Sequence, residues 1–124
     1  MMQFHSRRLI LSIKEGDVIV TPMPQAAGVW IRRPVVVLRE MRPFGDFLVC
    51  GISTQLRHEV KNFDEIISDA HPDFASSGLV ADSLIRLGFL SILPHGSVAG
   101  SIGSISPERH RRLLERLSNY LVTQ

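Results

Sequence analysis

The sequence predicts an α+β fold that is mainly β, a small barrel-like sheet closed by one C-terminal amphipathic helix. Two short runs rich in β-branched residues, Val35–Leu38 and Phe47–Ile52, flank the turn-forming Arg42-Pro43-Phe44-Gly45, which is the pattern of a β-hairpin. Further short apolar runs at Val18–Thr21, Leu79–Leu87 and Phe89–Leu93 are separated by breaks containing Gly, Pro or Ser. Near the end, Leu113, Leu114, Leu117, Tyr120 and Leu121 recur at spacings of three and four, one apolar stripe of a helix.

In chain order, residues 1–14 form an N-terminal extension of unassigned structure, and 15–124 form a single domain. Glu15-Gly16-Asp17 punctuates the chain before the first strand, Val18-Ile19-Val20-Thr21. Pro22 to Gly28 is expected to be a loop, because two prolines remove ladder donors. Pro34 biases Arg33 towards extended geometry. Beyond the hairpin, Asn62–Ser68 is compatible with a weak strand or a short helix, and Ser76-Ser77-Gly78 with a turn. Leu79–Leu87 and Phe89–Leu93 read as strands interrupted by Gly88, and a last short strand ends at Ile105. Ser106 then offers an N-cap, Pro107 suits the first helical position, and Glu108 suits the positive end of the dipole. Arg109, Arg111, Arg112 and Arg116 fall mostly off the apolar stripe and are expected on a solvated face.

Composition sets the class. The 124 residues are 44% hydrophobic and 21% charged, which is globular and long enough for one core. The net charge is only +2, yet Lys14 and Lys61 are the sole lysines among 14 basic residues. Arg presents a planar fork matched to phosphate, but for the abundance of Arg alone a GC-rich coding bias is the favoured account. Cys50 is the single cysteine, so no intramolecular disulfide forms, and its apolar run predicts a buried, inert thiol. No apolar stretch reaches the length of a membrane span, and the short run after Arg7-Arg8 lacks a cleavage site, so a cytoplasmic protein is expected.

The hairpin carries the candidate chemistry. Antiparallel partners have positions of constant sum, here about 87, so Arg33 faces Ser53 or Thr54 at the open end. A guanidinium opposite two hydroxyls can hold the charge that builds on phosphate oxygens when a 2′-hydroxyl attacks an RNA link. Two accounts stand on these residues alone. Either the mouth is such a site, or Arg33 pairs with a carboxylate such as Asp46 and Ser53 merely caps the strand. Asp82, which follows the apolar Leu79-Val80-Ala81, is a candidate proton acceptor or simply a turn-former. His5, His58, His71, His95 and His110 are scattered without metal-ligand spacing, so no metal or other cofactor is expected. No glycine pattern matches a P-loop or dinucleotide cradle, and neither Ser101 nor Ser104 sits in a nucleophile elbow.

The assembled motifs resemble the MazF/PemK family of toxin endoribonucleases. Gly16-Asp17-Val18-Ile19 is similar to the family's opening, and Arg32-Arg33-Pro34-Val35-Val36-Val37-Leu38 to its Arg-Pro-apolar signature. Ile52-Ser53-Thr54-Gln55 resembles its Ile-Thr-Ser-Gln element, and Ile102 to Glu108 with the following helix resembles its ending. The resemblance implies an SH3-like β-barrel and metal-independent cleavage of single-stranded mRNA, leaving 2′,3′-cyclic phosphate and 5′-hydroxyl ends. It also implies a homodimer, neutralised by a cognate antitoxin. It assigns catalysis to Arg33, Ser53 and Asp82, and substrate binding to Arg32, Thr54 and Gln55. Serine stands at 53 where the family has threonine, Val80 stands where some relatives carry arginine, and the loop after Pro22 is short and uncharged. The alternative on the same barrel is a non-cleaving toxin or binding module, directed at a protein such as DNA gyrase or held by an antitoxin. An unrelated small β-barrel module is the third reading.

Overall fold

The computed structural model describes residues 12–98 and 100–123; most of the N-terminal extension lies outside the described residues. Among the described residues six strands form one antiparallel sheet: β1 (Asp17–Pro24), β2 (Trp30–Met41), β3 (Asp46–Ser53), β4 (Glu65–Ile67), β5 (Ser83–Leu93) and β6 (Ser101–Ser104). Their spatial order is β4-β5-β3-β2-β1-β6, so the central hairpin β2–β3 occupies the middle of the sheet. The sheet curls into a half-barrel, and the helix α2 (Pro107–Val122) packs beneath it. A one-turn helix α1 (Phe74–Ser77) lies between β4 and β5.

The hairpin register explains why the middle strands read as unbroken apolar runs. Next to the turn, Met41 pairs with Asp46 and Arg39 with Leu48, a constant sum of 87. A bulge at Leu38 then shifts the pairing, so that Val37 meets Val49 and Val35 meets Gly51, a sum of 86. Val35 to Leu38 are fully buried because both sheet faces are covered. Val36, Leu38, Cys50 and Ile52 join the core under α2, with Leu113 and Leu117. Val35, Val37, Phe47 and Val49 join a second cluster with Ile19, Met23 and Leu93. The bulge is held from outside: the Gly16 amide donates to Val37 O, and His110 Nε2–H donates to Leu38 O at 2.8 Å.

Several expectations need correction. The first strand runs through Pro22 and Pro24, which pair with Arg32 and Trp30. β6 covers β1 only from Asp17 to Ile19, so beyond that point the strand has an open side where a missing N–H costs little. Leu79–Asp82 is not strand: β5 begins at Ser83 and runs through Gly88 without ending, while Ser76 and Ser77 belong to α1. Asn62–Ser68 resolves into the short β4.

The helix arginines are the largest departure. α2 is capped as expected, with Ser106 Oγ accepting from the Arg109 amide at 3.1 Å. Yet Arg109 is buried, its Nε and Nη2 forming a fork on Asp73 (2.8 and 3.1 Å), while Nη1 reaches Glu65 at 2.8 Å. Arg112 grips the same Glu65, and Arg116 donates to the carbonyls of Phe63 and Asp64. These arginines fasten the helix to β4 and the loop before α1, a role that a helical wheel cannot reveal. Tyr120 and Leu121, assigned to the apolar stripe, are mostly exposed, although the Tyr120 ring packs against Phe63.

Candidate active site

The groove forms where the hairpin opens. Continuing the β2–β3 register two residues past Val35↔Gly51 sets Arg33 opposite Ser53. Arg33, Ser53, Thr54 and Gln55 line one groove of about 220 Å³, with Met23 to Ala26 forming its wall on the β1 side. This space is smaller than most enclosed small-molecule sites and is open at the surface, as a groove for part of a chain would be.

Arg33 is exposed, and its side-chain contact among the described residues is a 3.4 Å hydrogen bond from Nη2 to Gln25 Oε1. Gln25 is neutral and is itself anchored by donating to the carbonyls of Met23 and Pro24. Among the described residues no carboxylate pairs with Arg33. Asp46 sits at the opposite end of the hairpin, where it accepts from the His95 amide. The pairing of Arg33 with Asp46 is therefore excluded by the length of the strands between them.

Ser53 does cap the strand: its Oγ accepts from the Gln55 amide at 3.0 Å. Accepting that bond leaves the hydroxyl proton available to donate into the groove, so capping and phosphate binding are compatible. Thr54 and Gln55 are exposed and line the same wall.

Arg32 and Asp82 are placed differently. Arg32 neighbours Arg33 on β2, and alternate residues of a strand point to opposite faces, so it lies outside the groove lining. Asp82 is exposed just before β5 and is also absent from the lining.

Arg86 and Phe89, on β5, complete the groove and were not among the expected site residues. The signal for Arg86 was a lone charge inside the apolar run Leu84–Leu87. On β3, Cys50 pairs with Leu90 while the next residue, Gly51, pairs with Arg86. Leu87, Gly88 and Phe89 therefore form an excursion of β5, which folds Phe89 over Gly51. Arg86 Cζ lies 5.7 Å from the centroid of the Phe89 ring. The buried Asp64 holds this excursion, its Oδ1 accepting from the Leu87 amide at 3.0 Å and its Oδ2 from the Val60 amide at 2.9 Å.

Elsewhere, Cys50 is buried, and burial pushes its thiol up to about 12, so it is no nucleophile at neutral pH. Among the described residues no group of three or more His, Cys, Asp or Glu side chains could hold a metal ion. Among them, too, no helix is long and apolar enough to cross a membrane.

Fold and groove together define a class: a small, curled antiparallel sheet with a closing C-terminal helix and an arginine-bearing cleft at the mouth of its central hairpin. The chain shares this fold with the Mycobacterium tuberculosis toxin MazF-mt6. The two structures superpose with a TM-score of 0.62 over 87% of this chain and 98% of that one, at 17% sequence identity. No family model matches the chain, and no curated protein matches it closely enough to count as a relative.

Proposed function

We propose that the chain is a toxin endoribonuclease that cuts single-stranded RNA without a metal. The observation that carries this reading is Arg33, a guanidinium without an anionic partner among the described residues, set opposite the Ser53 hydroxyl in an open groove. In the reaction the 2′-oxygen attacks phosphorus, its proton leaves to a base, and the O5′–P bond breaks. The departing 5′-oxygen takes a proton from water, so that a 2′,3′-cyclic phosphate and a 5′-hydroxyl result. Arg33 stabilises the charge on the non-bridging oxygens through its fork, and Ser53 and Thr54 donate hydroxyl protons to the same oxygens. Thr54 and Gln55 bind the flanking chain, with Arg32 steering phosphates from the neighbouring surface. Asp82, which stands outside the groove lining, is the candidate acceptor of the 2′-proton. The fold of MazF-mt6 and the sequence motifs support an antitoxin that occludes the groove, and a second copy of the chain as partner.

One observation favours a second reading. Among the described residues no carboxylate or histidine lines the groove, and the candidate base stands outside it. A barrel that binds an anionic partner without cutting would need Arg33 and the hydroxyls but no base.

The deciding experiment incubates the purified protein with a varied panel of single-stranded RNAs in a chelator. New 5′-hydroxyl ends and cyclic phosphates, reduced about a hundredfold or more by Arg33→Ala, establish the endoribonuclease. Intact RNA together with growth arrest on expression establishes the non-cleaving toxin.

A further inference from the structure

The cleavage chemistry makes no use of Arg86, yet the fold goes to some length to position it. Gly51 stands level with Val35 on one side and Arg86 on the other. A Cβ at position 51 would overlap the Phe89 ring, so glycine there is what lets the ring lie against β3. The ring in turn supports the Arg86 guanidinium, and the Asp64 carboxylate fixes the backbone between them through the Leu87 amide. Among the described residues Arg86 makes no ion pair and no side-chain hydrogen bond. It is an arginine restrained by a ring but unsatisfied at its edge, and so loses little freedom on binding.

Its position says what it meets. Strands lie roughly 4.8 Å apart, so β2 and β5 are separated by about 10 Å across β3. Gly51, level with Arg86, is also two residues along β3 from Ser53. Arg86 is thus beyond the phosphate held at the hairpin mouth and beside the nucleotide that adjoins it. A guanidinium has donors only, so the edge it selects must offer adjacent acceptors, as O6 and N7 of guanine or O2 and N3 of cytosine do. Adenine and uracil break such a pair with a donor.

We infer that Arg86, carried on Phe89 and Gly51, is a specificity-determining residue that selects a guanine or cytosine next to the cleaved link. This rests on the endoribonuclease reading, and the test separates the two. Cleavage sites of wild type, Arg86→Ala, Arg86→Lys and Phe89→Leu are mapped on a long unstructured RNA by sequencing the new ends. In parallel, a short A/U oligoribonucleotide, with or without one central G or C, is titrated against wild type and Arg86→Ala by fluorescence anisotropy. Wild type is expected to favour G or C at one fixed position by about tenfold, in cutting and in binding. Arg86→Ala removes that preference, Arg86→Lys does not restore it, and Phe89→Leu weakens it. An unchanged site spectrum overturns the inference. So does a preference for A or U, or a uniform loss at every site that lysine rescues, the behaviour of a phosphate contact. If wild type cuts nothing, the endoribonuclease reading falls, and the binding titration alone then decides the role of Arg86.

Discussion

At the scale of single residues, the groove divides into groups that hold charge and a group that must move a proton. Arg33 stands without an anionic partner among the described residues, so its truncation leaves no orphaned carboxylate and should not harm folding. Arg33→Ala is expected to lower cleavage by about 10²–10³-fold, the usual loss for one preorganised oxyanion donor, with an unchanged melting temperature. Ser53→Ala should lose a comparable share, whereas Ser53→Thr should retain activity, because the hydroxyl stays and the added methyl restrains its rotamer. Single-turnover kinetics on one cleavable oligoribonucleotide checks all three. For Asp82 the prediction is sharper. If it takes the 2′-proton, Asp82→Asn slows cleavage about 10²–10⁴-fold, and unchanged kinetics would remove it from the reaction.

At the scale of elements, the site depends on backbone irregularities that carry no side-chain chemistry of their own. The excursion of β5 at Leu87–Phe89 shapes one wall of the groove, and Asp64 is its clamp. Asp64→Ala would leave the Leu87 and Val60 amides without their partner, at a cost of about 1–3 kcal/mol each where buried, measurable by urea denaturation. α1 does a different job. Its C-cap Gly78 has φ +76° and packs on the Ile102 carbonyl of β6, while Ser76 Oγ donates to Ser104 O. A segment between β4 and β5, at one edge of the sheet, thereby touches β6 at the other edge and closes the curl without strand pairing. Gly78→Ala combines a left-handed φ with a backbone overlap and is expected to destabilise by about 1–3 kcal/mol.

At the scale of the whole molecule, the fold is joined by a buried ionic cluster of Arg109 with Asp73 and Glu65. Burial alone would raise the Asp73 carboxyl, but the Arg109 fork and the Ser106 amide outweigh it and hold the group at about 2, below its ordinary 3.8. The folded state therefore binds this proton less readily than the unfolded chain. The stabilisation is complete above pH 4 and is lost as pH falls from about 4 towards 2, amounting to about 2 kcal/mol. Acid unfolding followed by circular dichroism should show a midpoint in wild type that flattens in Asp73→Asn. Cys50 reports on the same global event: its thiol should resist alkylation in the native state and react on unfolding, because burial suppresses the thiolate.

Local sequence was enough to place the hairpin and its register to within one residue, since β-branched runs around a turn admit few pairings, and the bulge at Leu38 is the whole of the difference. It was enough, too, for the helix start, where Ser106, Pro107 and Glu108 act locally, and for bringing Arg33 and Ser53 to the lining of one groove. What lay beyond local rules was left to the folded chain. Prolines entered β1 because β6 happens to stop short, and Arg109 turned inward because Asp73 and Glu65 arrive from distant segments. Arg86 joined the groove because β5 departs from its partner by three unpaired residues. Each of these is a contact between parts of the chain far apart in sequence. Periodicity and propensity describe a segment's neighbours along the chain, and such contacts are fixed only when the sheet curls and brings its edges together.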